Sequence, residues 1–445
     1  MSNKPGMNRR NFLKNSAIGV GAGMLGSSPW LLGQQSPASA PQPTPTPESP
    51  LKIKEFRTLG RTGFKVSDIS SGFVKDPVVL ERLLDAGVNY IDSAESYNNE
   101  TVVGDVIKKR DRKSLFITTK MELKEGEDIS KEACLKRARK SLENLKTDYI
   151  DCLMMHGVEK SAMVKSEGFH AAMQLLKNEG RLRFVGISNH GSNWFVDPVE
   201  TMEKVLTAAA LDGRFDVMLL AYNFINEDNG DKVLKLCKEK NIGTTLMKTN
   251  PIGNIPVLKE RIAKAKADNQ EVPEYYPPMI TRLEEKAKKA AEFIKQYKLE
   301  DYPRMRQAAI RFVLSNPNVN TVCCSFKNFD DIESFITLSG TRLEDMDKEK
   351  LSAYKEGCSA LYCRHACGLC EPACPHHVPV NSIMRFNHYY EAQGKEKYAM
   401  KHYAKLPAAK ADLCANCSGH CEKACPYGVP VQGLLYMAHR TLSLA

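Results

Sequence analysis

The chain has 445 residues, of which 42% are hydrophobic and 26% are charged, and its net charge is +10 at pH 7. At roughly 150 residues per domain, this length predicts two or three domains with an ordinary apolar core. The basic excess is moderate and no block of basic residues alternates with aromatic ones, so the composition indicates no nucleic-acid partner.

The first 35 residues have the features of an export leader. Arg9 and Arg10 precede a weakly apolar run, residues 17–33, which several glycines interrupt. This run is short for a helix that spans a bilayer, which needs about 20 apolar residues. The arginine pair resembles the signal of the twin-arginine route, which exports folded proteins. The resemblance implies the twin-arginine translocation machinery as a partner and a periplasmic or otherwise exported location.

Residues 36–50 form a linker, because six of these fifteen positions are proline. Ala38-Ser39-Ala40 has the small-residue pattern of a peptidase site, but Pro41 directly after it is unfavourable for cleavage. Removal of the leader and its retention as an anchor therefore both stay open.

Residues 51–345 alternate between short apolar runs and amphipathic segments with helical spacing. The strand-like runs are residues 66–72, 88–92, 114–120, 148–156, 184–188, 216–222, 243–248 and 319–324. Eight strand–helix units over about 290 residues predict an α/β fold, a parallel (β/α)8 TIM barrel. An insertion at 249–302 follows the seventh strand, and its segment 280–296 is lysine-rich with a helical period. This segment is predicted to be either a lid over the site or a solvated surface helix.

Residues with catalytic chemistry follow the carboxyl ends of these strands, where barrel enzymes place their active sites. They are Asp92, Tyr97, Lys120 and His156. With the opening segment "LGRTGFKVSDISSG", this region resembles the aldo-keto reductase family. The resemblance implies that a nicotinamide cofactor delivers hydride while Tyr97 protonates the alkoxide. Lys120 would lower the pKa of Tyr97, Asp92 would hold Lys120, and His156 would orient the carbonyl.

The resemblance also implies cofactor contacts. Ser188 and Asn189 match residues that bind the nicotinamide amide, and Tyr222 matches an aromatic that stacks under the ring. Leu219 stands where the family has a glutamine. Ser325, Lys327 and Asn328 lie where the phosphates meet a helix N-terminus. Asp331 stands near the position of an arginine that binds a 2′-phosphate, so NAD is favoured over NADP.

Eight of the fourteen cysteines lie in two runs within a C-terminal domain, residues 355–445. The runs are Cys363, Cys367, Cys370 and Cys374, then Cys414, Cys417, Cys421 and Cys425. The segments "CEPACPHHVPV" and "CEKACPYGVPV" repeat after 51 residues. Structural zinc prefers a longer spacer between two pairs, and these thiols are crowded for disulfides.

This repeat resembles the bacterial two-cluster ferredoxins, in which the last cysteine of each run serves the other cluster. The resemblance implies a mostly α-helical, ferredoxin-like domain with two 4Fe-4S clusters. Cys425 would complete the first cluster and Cys374 the second. Each run has one gap wider than the usual spacing, so the pairing of ligands is open.

These features predict an exported iron–sulfur oxidoreductase that interconverts a carbonyl and an alcohol on a small molecule and exchanges electrons with a redox partner. Folded export agrees with the cysteines, because clusters are assembled before a protein leaves the cytoplasm. Two alternatives stay open. One is a non-catalytic electron-transfer or assembly protein that uses the barrel as a scaffold, and the other is a reductase whose clusters are only structural.

Overall fold

The structure, a computed structural model, describes residues 51–123, 126–190, 200–267, 273–365, 367–393, 395–406 and 410–443. The predicted leader and linker, residues 1–50, lie outside the described residues. The described residues belong to one compact unit, Pro50–Ala445. In the part of the chain that the structure describes, no helix is long and apolar enough to cross a membrane.

A short antiparallel hairpin precedes the barrel. Its strands are β1 (Phe56–Thr58) and β2 (Lys65–Ser67). Leu59 and Val66 are fully buried and belong to the same apolar cluster as Tyr90 and Phe116, which lie at the amino ends of barrel strands. The hairpin therefore covers the end of the barrel opposite the predicted active site.

Eight parallel strands form a closed barrel, which confirms the predicted (β/α)8 architecture. They are β3 (Ile69–Ser71), β4 (Tyr90–Asp92), β5 (Phe116–Glu122), β6 (Ile150–His156), β7 (Leu182–Asn189), β8 (Val217–Ala221), β9 (Gly243–Met247) and β10 (Thr321–Cys324). The barrel closes where β10 pairs with both β3 and β9. The strands read as continuous apolar runs because both of their faces are buried.

The first six helices surround the sheet. They are α1 (Pro77–Asp85), α2 (Glu100–Ile107), α3 (Lys131–Leu145), α4 (Glu167–Asn178), α5 (Met202–Asp212) and α6 (Glu227–Glu239). Helix α3 corresponds to the amphipathic segment at 130–145. Ser130 caps it by accepting from the Ala133 amide, and Lys146 ends it in the left-handed region with φ 50°.

The insertion forms two helices, α7 (Ile255–Ala267) and α8 (Tyr276–Gln296). Helices α9 (Tyr302–Ser315) and α10 (Phe329–Ile336) then complete the barrel on either side of β10. Helix α8 is not a solvated surface helix, because Met279, Leu283 and Ala287 are buried along one face. The prediction missed this because the partners of that face come from a distant part of the chain.

Those partners are the C-terminal helices, α11 (Asp345–Cys358), α12 (Val380–Gln393), α13 (Glu396–Ala404), α14 (His420–Ala424) and α15 (Val431–Leu442). Residues of α7, α8, α12 and α15 share one apolar cluster. Helix α15 approaches α8 so closely that a Cβ on Gly433 would lie 3.1 Å from the Leu283 side chain. Arg282 on α8 also donates to Glu422 and Gln432, at 2.9 Å each. The insertion and the C-terminal helices therefore pack as one layer.

Candidate active site

The structure brings Asp92 and Lys120 into direct contact. The Lys120 ammonium donates to Asp92 Oδ2 and to the Ser93 carbonyl, both at 2.6 Å. Both side chains are almost completely buried, since Lys120 lies inside β5 and Asp92 ends β4. A buried ammonium needs such a partner, because the energy of desolvating an isolated charge is large.

Tyr97 lies beside this pair at the end of a short 3-10 turn, Glu95–Tyr97. The Lys120 ammonium is 4.7 Å from the centroid of the Tyr97 ring. The His156 ring meets Tyr97 edge-on, with centroids 5.7 Å apart, and the Phe73 ring does the same at 5.4 Å. Four residues that are separated in sequence therefore surround one point at the carboxyl ends of the strands.

The electrostatics of Tyr97 differ from the prediction that Lys120 lowers its pKa. Burial raises the pKa of Tyr97 well above its usual value, and the Asp92 carboxylate adds to the shift, while the Arg385 guanidinium opposes it. The positive charge of Lys120 is already balanced by Asp92 at contact distance, which explains why it does not dominate. Tyr97 is therefore a protonated phenol at neutral pH, which is the form that a proton donor requires.

A cavity of about 1560 Å³ contains this constellation. Tyr97, Asp92 and His156 line it from the barrel. Residues of the C-terminal helices line it too: Arg385, Phe386, His388 and Tyr389 on α12, Lys395, and Glu396, Lys397, Tyr398 and His402 on α13. Part of the wall of the active cavity therefore comes from the segment that carries the cysteine runs.

The sequence did not predict the contact that joins the barrel to the C-terminal helices in the wall of this cavity. Arg385, which is 1% exposed, donates to the His190 carbonyl at 3.1 Å and to His190 Nδ1. Arg385 Nε also donates to the Tyr389 hydroxyl at 2.8 Å. The His190 ring lies 5.2 Å from the His156 ring, between centroids. His190 directly follows Asn189 in "GISNHG", which is the one sequence signal that could have identified it.

The side chains of Ser188 and Asn189, which are predicted to contact the nicotinamide, form hydrogen bonds within the protein. Ser188 Oγ accepts from the Gly157 amide at 2.9 Å, and the Asn189 amide donates to the Val158 carbonyl at 2.7 Å. Both side chains therefore hold the loop after β6. Leu219, at the position of the family's glutamine, lines the cavity.

Tyr222 lies in the layer between sheet and helices. Its hydroxyl contacts Asp231 Oδ1 at 2.7 Å and accepts from Asn316 at 2.9 Å, and its ring stacks on Phe312 with centroids 5.8 Å apart. This position does not support the predicted stacking under a nicotinamide. Lys248, directly after the next strand, lines the cavity.

The segment after β10 contributes Ser325 and Lys327 to the cavity lining. Asn328 instead caps α10, where its side chain accepts from the Asp331 amide at 3.0 Å. The Asp331 carboxylate accepts from the Lys327 backbone N–H at 2.8 Å. A carboxylate of the chain itself therefore already occupies one amide of this helix N-terminus, which disfavours an additional phosphate at that amide.

The cysteines of the two runs form two groups. Cys363 is influenced electrostatically by Cys367, Cys370 and Cys425, and all four line one small cavity. Cys414 is influenced by Cys417, Cys421 and Cys374. Each group thus takes three thiols from one run and the last thiol of the other.

None of the fourteen cysteines forms a disulfide. Burial raises the pKa of Cys363 and of Cys414, and the neighbouring thiols raise it further. In the described residues, no group of three or more His, Cys, Asp or Glu side chains converges on the position of a single metal ion. A 4Fe-4S cluster requires a different arrangement, because each of its four cysteines binds a different iron.

Side chains around the second group hold its backbone in place. The Gln432 amide on α15 donates to the Cys414 carbonyl at 2.7 Å and to the Cys417 carbonyl. The Val378 amide donates to Cys374 Sγ at 3.4 Å. Amide donors to cysteine sulfur stabilise thiolate character, as do the hydrogen bonds that tune iron–sulfur sites.

Residues 71–356 match the model of the aldo/keto reductase family. The chain is 27% identical to L-galactose dehydrogenase from Arabidopsis thaliana over 321 residues, which covers 67% of this chain and 92% of that protein. It is 34% identical to methylglyoxal reductase DkgB from Salmonella typhi over 144 residues, 31% of this chain and 50% of that protein. An aldo-keto reductase of Bacillus halodurans in its holo form has a TM-score of 0.46 and 21% identity, and the match covers 67% of this chain and 95% of that one.

The chain therefore belongs to the aldo/keto reductase family and is an oxidoreductase. The family match ends at residue 356, before the first cysteine of either run. The cysteine-bearing segment is thus an addition to the family's barrel.

Proposed function

We propose that the protein is an exported iron–sulfur oxidoreductase that interconverts a carbonyl and an alcohol on a small substrate, with electron transfer through two 4Fe-4S clusters. The catalytic part of the proposal rests on one observation, the 2.6 Å contact of Lys120 with Asp92 beside the Tyr97 ring. The export and cluster parts rest on Arg9, Arg10 and the two groups of four thiols.

In the direction of reduction, the Tyr97 hydroxyl donates its proton to the substrate oxygen as negative charge develops there. A bound nicotinamide would supply the hydride. The Lys120 ammonium stabilises the phenolate that remains, and Asp92 holds that ammonium in position. His156, edge-on to Tyr97, orients the substrate oxygen toward the hydroxyl. Oxidation follows the same steps in reverse, with Tyr97 taking up the proton.

A nicotinamide dinucleotide fits this site in part. The cavity of about 1560 Å³ offers ample room, and Ser325 and Lys327 line it on the side predicted for the phosphates. Asp331 at the start of α10 disfavours a 2′-phosphate by repulsion, which favours NAD over NADP. Ser188 and Asn189, which are predicted to contact the carboxamide, also hold the loop after β6.

The two thiol groups fit two clusters by the chemistry of their donors. Four cysteines are the ligand set that 4Fe-4S clusters use, and these eight cysteines form no disulfides and are buried or half-buried. One group is Cys363, Cys367, Cys370 and Cys425, and the other is Cys414, Cys417, Cys421 and Cys374. Bound clusters would store and pass single electrons to a redox partner. The positive charge of the irons would balance the four thiolates of each group, which burial and mutual repulsion disfavour in the absence of metal.

A non-catalytic electron-transfer or assembly protein is the second candidate. Two observations favour it: Leu219 replaces the glutamine of the family, and Tyr222 packs in the helix layer. The assembled Asp92, Tyr97, Lys120 and His156 favour the enzyme instead.

The deciding experiment is Tyr97→Phe in the full chain, purified anaerobically and assayed with a panel of carbonyl compounds and NADH. We expect turnover to fall by about 10²- to 10⁴-fold, because the variant keeps the ring but lacks the proton. Tyr297→Phe is the matched control, since Tyr297 is 45% exposed and far from the cavity lining. Absence of turnover in the wild type would favour the non-catalytic candidate, and unchanged turnover in Tyr97→Phe would reject Tyr97 as the proton donor.

Cofactor content is tested separately from turnover. The same preparation should contain about eight iron and eight sulfide per chain, as two 4Fe-4S clusters require. Iron-free, colourless protein would reject the clusters without affecting the tetrad.

Cell fractionation of the wild-type chain and of Arg9→Lys/Arg10→Lys tests export, and equal distribution of both would reject the twin-arginine route.

A further inference from the structure

Three cations meet around one tyrosine in the wall of the active cavity. The Lys248 ammonium and Arg385 Nε both donate to the Tyr389 hydroxyl, at 3.3 and 2.8 Å. The Lys395 ammonium lies 5.6 Å from the centroid of the same ring. All four residues line the cavity. They come from the end of β9, from α12 and from the start of α13, so the packing of the C-terminal segment onto the barrel creates this cation cluster.

The positive charges of Lys248 and Lys395 are not balanced by the surrounding protein. Across the described residues, neither ammonium makes an ion pair with a carboxylate. Burial lowers the pKa of Lys248 well below its usual value, and the charge of Arg385 adds to this. Burial also lowers the pKa of Lys395 to about 8, with Tyr389 opposing the shift and Lys248 and Arg385 adding to it. Like charges held together away from water are unfavourable, and an anion between them relieves that repulsion.

Six acidic side chains line the same cavity. Two of them are Glu159 and Glu396, of which Glu396 is exposed and directly follows Lys395. The other four have partners elsewhere. Asp92 contacts Lys120, and Glu122 lies 3.5 Å from His156 Nδ1. Asp76 caps α1, and Asp331 accepts from the Lys327 amide at the start of α10. None of these four carboxylates is described in contact with the cation cluster.

The cation cluster lies at the reacting end of the cavity. The Lys395 ammonium is 4.7 Å from the centroid of the Phe73 ring, which meets Tyr97 edge-on. Arg385 contacts His190, whose ring neighbours that of His156. Arg385 and Tyr389 also act electrostatically on the Tyr97 hydroxyl. The charges therefore surround the proton donor, whereas the diphosphate of a dinucleotide lies several bonds away from its nicotinamide ring.

His190 supplies an independent observation. Its Nδ1 accepts from Arg385, so the neutral ring carries its proton on Nε2. Burial and the charge of Arg385 keep the pKa of His190 well below its usual value, which maintains the neutral form. His190 is 7% exposed, and its Nε2 has no hydrogen-bond partner among the described residues. Buried donors are nearly always satisfied, so an oxygen of a ligand is the expected partner.

We propose that Lys248, Arg385 and Lys395 form an anion site for the substrate, and that the substrate is a carbonyl or alcohol compound with a carboxylate close to its reacting carbon. The carbonyl oxygen lies between Tyr97 and His156, and the carboxylate lies among the three cations. The reaction rests on the function proposed above, but the anion site does not. The same chemistry also suits the phosphates of a dinucleotide, so the experiment separates these two sources.

The test measures binding to the full-length protein by calorimetry, with phenylglyoxylate and its methyl ester as probes. Both probes carry the same ketone, and only the first carries a charge. We expect the carboxylate to bind at least about tenfold more tightly than the ester, as charge-assisted hydrogen bonds allow. Lys248→Met and Lys395→Met should each remove most of this preference, and Lys395→Arg should retain it. Lys401→Met, an exposed lysine on α13 outside the cavity lining, should leave both affinities unchanged.

NADH is the second probe and distinguishes the sources. Its affinity should stay within about twofold in Lys248→Met and Lys395→Met if the cations bind substrate. Weaker NADH binding with an unchanged preference for the carboxylate would assign the cations to the dinucleotide and overturn the proposal. Equal binding of both phenylglyoxylate probes to the wild type would overturn it as well.

Folding of the variants gives a further check. Each Lys→Met change removes a poorly compensated charge, so the melting temperature should stay equal or rise. A large fall in both variants would mean that the ammonium groups stabilise the native fold, which would contradict the charge imbalance. The binding measurements need no turnover. A failure of the catalytic proposal would therefore appear in the Tyr97→Phe assay while the carboxylate preference persisted.

Discussion

The active cavity has two walls that are built in different ways. On the barrel wall, Asp92, Lys120 and His156 extend from strands of a closed sheet, and the hydrogen bonds of that sheet fix their spacing. On the helical wall, Arg385 and Tyr389 lie on α12, which is held by side-chain packing on α7, α8 and α15. The barrel wall carries the proposed proton chemistry and Lys248, and the helical wall adds the cations Arg385 and Lys395. Substitutions can therefore perturb each wall separately.

We expect the largest effect from a substitution that disrupts the helical wall. Cys370→Ser removes a predicted cluster ligand, and because metal binding is coupled to folding, we expect the C-terminal segment to open. Iron content should fall and limited proteolysis should cleave within residues 355–445, while the barrel resists. Cys237→Ala, in the core between α6 and the sheet, is the control and should retain its iron. Protease resistance equal to that of the wild type in Cys370→Ser would contradict a folding role for the ligand.

A smaller effect is expected on the barrel wall. Asp92→Asn leaves the buried Lys120 ammonium without its counter-charge, so we expect a loss of about 3–5 kcal/mol in the free energy of unfolding. Denaturant titration measures this loss, and iron analysis should show unchanged cluster content. Asp105→Asn, in an exposed pair with Lys146, should change the free energy of unfolding little. Parallel loss of iron in Asp92→Asn would show that the two walls do not behave independently.

A substitution where the insertion packs against the C-terminal helices also tests the difference between the two walls. Leu283→Ala removes a fully buried side chain that packs against α15, and we expect a loss of about 2–5 kcal/mol. Leu206→Ala on α5 removes an equally buried side chain from the barrel core. Both variants should melt earlier, but only Leu283→Ala should weaken protease resistance at residues 355–445. Equal cleavage in the two variants would argue against a separate helical layer.

The smallest effect concerns acid stability at the far end of the barrel. Arg342, and more weakly Arg57, hold the pKa of Glu55 at about 2, against an ordinary value of 4.5. The folded state therefore favours the ionised carboxylate, and this contribution is present above pH 4.5 and lost as the pH falls toward 2. Glu55 is partly exposed, so we expect only about 1 kcal/mol. Urea titrations should show a flatter decline below pH 4.5 in Glu55→Gln, with Glu81→Gln, in an exposed pair with Lys109, as the control.

The barrel and its tetrad could be predicted because their signals are local. Strands buried on both faces read as apolar runs, and chain order places Asp92, Tyr97 and His156 at the same end. The position of Tyr222 could also have been predicted from the alternation of side chains along β8. Leu219 faces the cavity, so Tyr222, three positions later, faces the helix layer.

The helical wall could not be predicted, because its contacts join distant parts of the chain. Arg385 and His190 are 195 residues apart, and no pattern around either residue identifies the other. The spacing of the cysteines predicts which residues would bind a cluster, but it contains no information about where α12 packs. The burial of α8 was missed for the same reason, since its apolar face packs against the C-terminal helices, which lie as far along the chain as α15.

The shared packing of α8 has a consequence for how this architecture could arise. Truncation of the chain after residue 345 would expose Met279, Leu283 and Ala287 to water as a continuous apolar surface, which would promote self-association. Conversely, if the cysteine-bearing segment were joined to a barrel without residues 249–302, it would lack helices α7 and α8, against which it packs. The insertion and the extension therefore depend on each other for burial of their apolar faces, and deletion of either is expected to destabilise the other.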